Sequence, residues 1–203
     1  MKNYVLTPGP VPVPEFVMLE MAKPIIHHRT EEFEEIFSKA TQGLKKVFMT
    51  KEEVLILASS GTGAMDAAIC NTLSKGDKAL VVNGGKFGER WLKICKAYGV
   101  DTEEIKVEWG KSVDPSLIKE IIKKDSSIKA ILVQASETST GAEHPIKEIA
   151  KLTKNRDDII LIVDGITAVG AFPVEFDKWG IDILIGGSQK AFGRSIYRFR
   201  TGK

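Results

Sequence analysis

The sequence has only two cysteines, three histidines and no long apolar run, and each shortage excludes a class of protein. Cys70 and Cys95 form no CxxC pair and have no His-x3-His partner, so we predict no metal site. No stretch approaches the roughly 20 consecutive apolar residues of a membrane-spanning helix. The N-terminus lacks the apolar segment of a signal peptide. We therefore expect a cytoplasmic protein with no membrane partner.

The net charge is also small, because 29 lysines and arginines are nearly balanced by 27 aspartates and glutamates. A charge of +2 on 203 residues gives no indication of a nucleic-acid partner. The basic residues are unevenly spread, since residues 193–203 contain four of them and no acid. We predict an atypical basic tail over 193–203, a proline-rich N-terminal arm over 1–20, and a partial large domain over 21–192.

Short apolar runs alternate along the chain with segments of helical periodicity. The predicted strands are 54–57, 79–82, 130–133, 159–163 and 181–185. Continuous apolar runs are typical of strands buried on both faces, so we predict an α/β fold with a mainly parallel sheet flanked by helices. In such sheets, ligands bind at the carboxyl ends of the strands.

Residues 59–63, Ser-Ser-Gly-Thr-Gly, follow the first predicted strand and precede a helix. Glycine N–H groups, hydroxyls and a helix N-terminus together favour phosphate binding, and an ordinary strand–helix turn is the alternative. The P-loop pattern is absent. The dinucleotide fingerprint also fails, because Asp66 stands where glycine or alanine is required. A nicotinamide-binding module is therefore disfavoured.

An aspartate and a lysine follow two later strands. Asp164 comes directly after 159–163, and Lys190 comes shortly after 181–185. Together with the candidate phosphate site at 59–63, Asp164 and Lys190 meet three requirements for binding pyridoxal phosphate (PLP). These are an anion site, a carboxylate for the pyridine nitrogen, and an amine that forms a Schiff base with the aldehyde. Each residue alone has an ordinary alternative, such as a helix cap or a solvated lysine.

Five segments resemble the class V aminotransferases of fold type I, in particular the serine–pyruvate, alanine–glyoxylate and serine–glyoxylate group. They are 6–10 (Leu-Thr-Pro-Gly-Pro), 60–62 (Ser-Gly-Thr), 137–141 (Glu-Thr-Ser-Thr-Gly), 163–166 (Val-Asp-Gly-Ile) and 187–190 (Gly-Ser-Gln-Lys). The resemblance implies a PLP-dependent aminotransferase that moves an amino group from a small amino acid, of the serine or alanine type, to glyoxylate or pyruvate. It also implies a homodimer in the full-length form.

The resemblance assigns roles to individual residues. Lys190 is implied to be the Schiff-base lysine and the later proton shuttle, and Asp164 the partner of the pyridine nitrogen. The remaining implied contacts are Ser60, Gly61, Thr62 and Gln189 to the phosphate, Thr138 to the ring hydroxyl, Ile166 and Phe87 to the two ring faces, and Gly9 and Pro10 to the substrate. His144 is expected at the surface in preference to a role as general base.

The sequence departs from the family pattern after the lysine. Relatives continue with a Pro-Pro-Gly turn, the rest of the large domain and a small C-terminal domain, which carries the arginine that binds the substrate carboxylate. We therefore expect a truncated chain with an incomplete large domain, no small domain and impaired aminotransfer. A non-catalytic cofactor-binding remnant is the main alternative. A cysteine desulfurase-like enzyme is less favoured, because neither cysteine is expected on a loop.

Overall fold

The computed structural model describes residues 7–9 and 11–193. Its first elements are two helices, α1 (Glu15–Ala22) and α2 (Glu31–Phe48). Thr30 caps α2 by accepting a 3.3 Å hydrogen bond from a backbone N–H in the first turn, which also holds three glutamates. Acidic residues there are favourable because the N-terminus of a helix carries positive potential. Neither helix has a buried residue.

Helices and strands alternate after α2. In chain order they are α3 (Gly61–Thr72), β1 (Lys78–Asn83), α4 (Lys86–Tyr98), β2 (Asp101–Lys106), α5 (Pro115–Lys124), β3 (Ile128–Gln134), β4 (Ser136–Glu137), β5 (Ala142–Glu143), α6 (Ile146–Thr153), β6 (Ile160–Asp164), α7 (Phe176–Trp179) and β7 (Ile183–Ile185). Five strands pair in parallel in the order β2-β1-β3-β6-β7, and β4 with β5 forms a small antiparallel hairpin.

Both faces of the sheet are covered, which explains why its central strands are apolar throughout. Leu80 of β1 belongs to a core shared with Ile118 of α5 and with α6. The adjacent Val81 belongs to a second core that contains Trp91 of α4 and Met65 of α3. All five side chains are fully buried, and burial of a large apolar side chain stabilises the fold by roughly 1.5–3 kcal/mol.

The predicted α/β fold with a mainly parallel sheet is confirmed. Four of the predicted strands overlap an observed strand, namely 79–82, 130–133, 159–163 and 181–185. The strand predicted at 54–57 is wrong, because this segment forms no strand and Leu55 is 81% exposed. Among the described residues nothing pairs with this run, so it lacks the hydrogen-bonded neighbour that a strand requires.

The predicted domain limits stay predictions. Helix α1 begins within 1–20, so the predicted arm contains a helix after its prolines. Pro10 lies outside the described residues, as does all of the predicted basic tail except Gly193. In the described part of the chain, every helix is too short or too polar to cross a membrane.

Candidate active site

The side chains selected from the sequence lie at the carboxyl edge of the sheet. Asp164 ends β6, and Gln189 and Lys190 follow β7. Phe87 stands in the first turn of α4, directly after β1, and Thr138 follows β4. Parallel strands all end at one edge, so the fold gathers residues that are far apart in sequence.

The N-terminus of α3 lies against Ile166. The Ser60 hydroxyl caps this helix by accepting a 3.4 Å hydrogen bond from the Gly63 N–H. A Cβ on Gly61 would contact Cδ1 of Ile166 and lie 3.1 Å from its Cγ1, so any larger residue at position 61 would displace the Ile166 side chain. The first N–H groups of a helix have no acceptor within it, which suits this end of α3 to an anion.

Arg90 links the first turn of α4 to α3. Its guanidinium carbon lies 4.6 Å from the centroid of the Phe87 ring, a cation–π contact. The same group donates a 2.9 Å hydrogen bond to Oγ1 of Thr62. Phe87, the predicted ring-stacking residue, and Thr62, a predicted phosphate contact, are therefore joined through an arginine that was not among the predicted site residues.

Asp164 is a buried carboxylate with only 4% of its surface exposed. One oxygen accepts a 2.9 Å hydrogen bond from the Ile166 N–H, and among the described residues no cation is bonded to the other. Burial raises the pKa of Asp164 to about 6, and the negative charge of Glu137 adds to this increase. The hydrogen bond from the Ile166 N–H and the positive charges of Arg90 and Lys190 act in the opposite direction. A buried acid of this kind is stabilised by a cationic partner.

Lys190 contacts the N-terminal segment. Its ε-amino group donates a 2.8 Å hydrogen bond to the carbonyl oxygen of Pro8, and a Cβ on Gly9 would lie 2.6 Å from Nζ. A Cβ on Gly187 would lie 2.7 Å from Oε1 of the neighbouring Gln189 and 3.0 Å from Cγ2 of Ile166, so both side chains approach the backbone of Gly187. After β7, Lys190 therefore lies against Pro8 and Gly9, whereas Gln189 lies on the side of Gly187.

Thr138 is held by its hydroxyl. Its Oγ1 lies 3.1 Å from Oγ1 of Thr167, which in turn donates to the carbonyl oxygen of Ser136 at 3.1 Å. This pair joins the loop after β4 to the turn after β6. Thr167 was not among the predicted site residues, although its place three residues after Asp164 was a usable signal.

Glu137 is a second acid at the site, beside Asp164, and it was not among the predicted site residues. It is fully buried and accepts hydrogen bonds from the backbone of Phe87 and Gly88, at 3.3 and 3.0 Å. It stands directly before Thr138 in the motif 137–141, and that place in the motif was the signal available from the sequence.

The surface position predicted for His144 is wrong. Its side chain is only 1% exposed, and Nδ1 accepts a 3.1 Å hydrogen bond from the Val113 N–H. Nε2 is buried without a partner among the described residues. Burial lowers the pKa of His144, and the charge of Glu137 opposes this shift. The ring is therefore a neutral packing group beside the site.

The two cysteines lie on helices, as the sequence predicts. Cys70 is exposed on α3, and Cys95 is buried on α4, where burial raises its thiol pKa to about 11. Across residues 7–9 and 11–193, no group of three His, Cys, Asp or Glu side chains is arranged to hold a metal ion.

Known proteins are similar to this chain in sequence. The chain is 44% identical to a soluble hydrogenase small subunit of Synechococcus sp., over 94% of this chain and 50% of the relative. It is 35% identical to an L-aspartate–glyoxylate aminotransferase of Paracoccus denitrificans, over 94% of this chain and 49% of the relative. The chain thus spans about half the length of these curated relatives.

A solved structure agrees in fold. The alanine–glyoxylate aminotransferase of Nostoc sp. superposes with a TM-score of 0.89 at 28% identity, over 94% of this chain and 50% of that one. The family description "Aminotransferase class-V" matches residues 15–195, which include every site residue described above except Pro8 and Gly9. The chain belongs to the class V aminotransferase family.

Proposed function

We propose that this chain forms the cofactor-binding site of a PLP-dependent aminotransferase. The observation that carries the proposal is the buried carboxylate of Asp164, which has no cation bonded to it among the described residues and whose pKa is raised to about 6. A protonated pyridine nitrogen is the partner that would hold this acid ionised.

The remaining residues fit the same cofactor. The free N–H groups at the start of α3 suit a phosphate, and Gly61 leaves no room for a side chain between this helix and Ile166. Phe87 offers an aromatic face, and Thr138 offers a hydroxyl near the turn that follows Asp164. We therefore assign the phosphate to Ser60, Gly61, Thr62 and Gln189, the ring hydroxyl to Thr138, and the ring faces to Phe87 and Ile166.

Each residue has a separate task in the proposed reaction. When bound, PLP supplies an electrophilic aldehyde and a ring that withdraws electrons. The Lys190 amine would hold that aldehyde and would then carry a proton to or from the substrate Cα. The Asp164 carboxylate would keep the pyridine nitrogen protonated. Gly9, beside the Lys190 amine, borders the space for the substrate, and Pro10 follows it in the sequence.

The proposed substrates are a small amino acid of the serine or alanine type and glyoxylate or pyruvate. Glyoxylate is supported by the names of two aminotransferases similar to this chain. We also propose a homodimer in the cytoplasm. Large exposed apolar side chains on α1 and α2 support self-association, among them Phe16 at 70%, Leu19 at 64% and Ile36 at 53% exposure.

The test is a titration of the purified chain with PLP. A new visible absorption band is expected, which Lys190→Ala removes and Lys93→Ala, an exposed lysine of α4, retains. Alanine or serine should then bleach the band, and glyoxylate should restore it. A parent chain that forms no band with PLP would refute the proposal.

A second proposal is cofactor binding without turnover. Binding alone requires only the residues that are assigned to PLP above. The same titration separates the two functions. Bleaching by an amino acid without recovery on addition of glyoxylate supports this second function, whereas recovery supports aminotransfer.

A further inference from the structure

Glu137 is the most heavily hydrogen-bonded acid beside the proposed site. Its carboxylate accepts from the Phe87 N–H at 3.3 Å, the Gly88 N–H at 3.0 Å and the Ser139 N–H at 3.1 Å. The Ser139 hydroxyl donates a fourth bond of 2.6 Å. The side chain is fully buried. Every donor is either backbone or a neutral hydroxyl, so among the described residues the carboxylate accepts no hydrogen bond from a basic side chain.

The first turn of α4 compensates this charge. In the part of the chain that the structure describes, no lysine, arginine or histidine forms an ion pair with Glu137. Instead its oxygens face two N–H groups of a 13-residue helix, at the end where the helix carries positive potential. Gly85 stands at the N-cap of α4 and provides no side chain to cap it. Glu137 therefore caps this helix from a separate hairpin.

Gly85 provides the space for this approach. Its φ of 166° is extended backbone that any residue adopts, so glycine is not required there by conformation. A Cβ at this position would contact Oγ of Ser139 and lie 2.7 Å from Cγ and Cδ of Glu137. A side chain at residue 85 would therefore push the carboxylate away from α4.

The turn held by Glu137 carries two residues of the site. Phe87 presents its ring to the guanidinium of Arg90, which donates to Thr62 at the start of α3. On the other side, Glu137 is directly bonded in the chain to Thr138. One buried carboxylate thus connects the proposed ring-stacking, phosphate and ring-hydroxyl contacts, although it has no assigned contact to the cofactor itself.

We propose that Glu137 is a positioning residue, whose carboxylate fixes the first turn of α4 and thereby sets Phe87 and Arg90 relative to Thr62 and Thr138. The consequence for PLP rests on the proposed function, because the ring that Phe87 would cover belongs to the cofactor. The hydrogen bonds between Glu137 and α4 do not involve PLP, so their effect can be measured without the cofactor.

The experiment compares two variants of the 203-residue chain with a matched control. Glu137→Gln removes the charge, and Gly85→Ala keeps the charge but displaces it, so the second variant decides if the first does not fold. Glu143→Gln is the control, since Glu143 is an exposed acid on the same hairpin. Amide hydrogen exchange is measured by NMR without PLP. Affinity and induced circular dichroism of the cofactor band are measured with PLP.

We expect exchange at the Phe87 and Gly88 amides to accelerate at least about tenfold in both variants, while amides of the last turn of α4 keep their rates. We expect PLP to bind about tenfold more weakly, with a smaller dichroism signal even at saturation, because the ring is less firmly oriented. The control should match the parent in every measurement.

Three outcomes overturn the inference. Unchanged exchange at Phe87 and Gly88 shows that Glu137 does not hold the turn. Uniform acceleration along all of α4 shows a general loss of stability instead of a local one. Faster local exchange with unchanged PLP affinity and dichroism shows that the hold does not position the site. If the parent chain itself forms no PLP band, the proposed function fails, while the exchange measurement still decides whether Glu137 fixes α4.

Discussion

The ε-amino group of Lys190 donates a 2.8 Å hydrogen bond to the carbonyl oxygen of Pro8, 182 positions earlier in the chain. The amine proposed to react with the cofactor is thus held by backbone of the N-terminal segment. Gly9 lies beside it, where a Cβ would be 2.6 Å from Nζ. The glycine predicted to border the substrate therefore also limits the space around the amine.

Gly9→Ala should impair cofactor capture with little effect on folding. The added methyl would lie 2.6 Å from Nζ, but the lysine is flexible and can move, so we expect unfolding free energies within about 0.5 kcal/mol of the parent. The rate of appearance of the PLP band should fall severalfold in rapid-mixing absorbance. Capture at the parent rate would show that the amine reacts from another position.

Gly43→Ala is the matched control for that substitution. Gly43 lies inside α2, and its added Cβ would meet nothing within 4 Å. Alanine in a helix interior is more favourable than glycine by roughly 0.5–1 kcal/mol. The control should therefore be slightly more stable in urea and should capture PLP at the parent rate.

The contact between Gly61 and Ile166 predicts an energetic coupling. Gly61→Ala places a methyl against Cδ1 of Ile166 and should destabilise the chain by about 1–3 kcal/mol. Ile166→Val removes that carbon and should cost about 1 kcal/mol by itself. The double variant should cost less than the sum of the two, as measured by urea unfolding of all four chains. Strict additivity would mean that the two residues are not in contact in solution.

The central strands could be predicted from the sequence, because a strand that is buried on both faces has apolar residues throughout. Residues 79–82 and 130–133 are buried on one face by α3 and α4 and on the other by α5 and α6. The run 54–57 has the same composition, but a strand also requires a hydrogen-bonded neighbour, which composition does not reveal. That is why this one strand was predicted wrongly.

The site was predictable where function follows from position in the chain. Asp164 and Lys190 each stand just after a strand, which places them at the ligand-binding edge of a parallel sheet. Glu137 and Arg90 act through contacts with α4 and Thr62, which are set by packing between elements distant in sequence. His144 was placed at the surface because its burial depends on Val113, 31 positions away.

His144→Asn should remove a loss of stability that occurs in mild acid. Burial lowers the pKa of the folded ring below the 6.5 of a free histidine. Unfolding therefore takes up a proton as the pH falls below 6.5, and the parent loses stability over that range. The asparagine oxygen can take the place of Nδ1 in accepting from Val113 but does not titrate. The free energies of unfolding of parent and variant, measured in urea, should differ less at pH 5.5 than at pH 7.5. A difference that stays constant between these pH values would contradict a neutral buried ring.

Asp164→Asn should stabilise the chain in the absence of cofactor and weaken PLP binding. The folded pKa of about 6 exceeds the 3.8 of a free carboxyl, so between these values the folded chain keeps a proton that the unfolded chain releases. Stability is thus lost as the pH rises from about 4 to 6, by about 3 kcal/mol in total. The asparagine variant has no such loss. Its free energy of unfolding in urea should therefore exceed that of the parent by an amount that grows across this interval and levels off above pH 6.

Addition of PLP should reverse this order of stability at neutral pH. A ligand that binds only the folded chain stabilises it in proportion to its affinity. The ionised Asp164 gains a cationic partner from the pyridine nitrogen, whereas asparagine gains none. The melting temperature should therefore rise with PLP for the parent and much less for the variant. Equal shifts in both chains would show that Asp164 does not contact the cofactor ring, and its burial would then be a cost without a compensating bond.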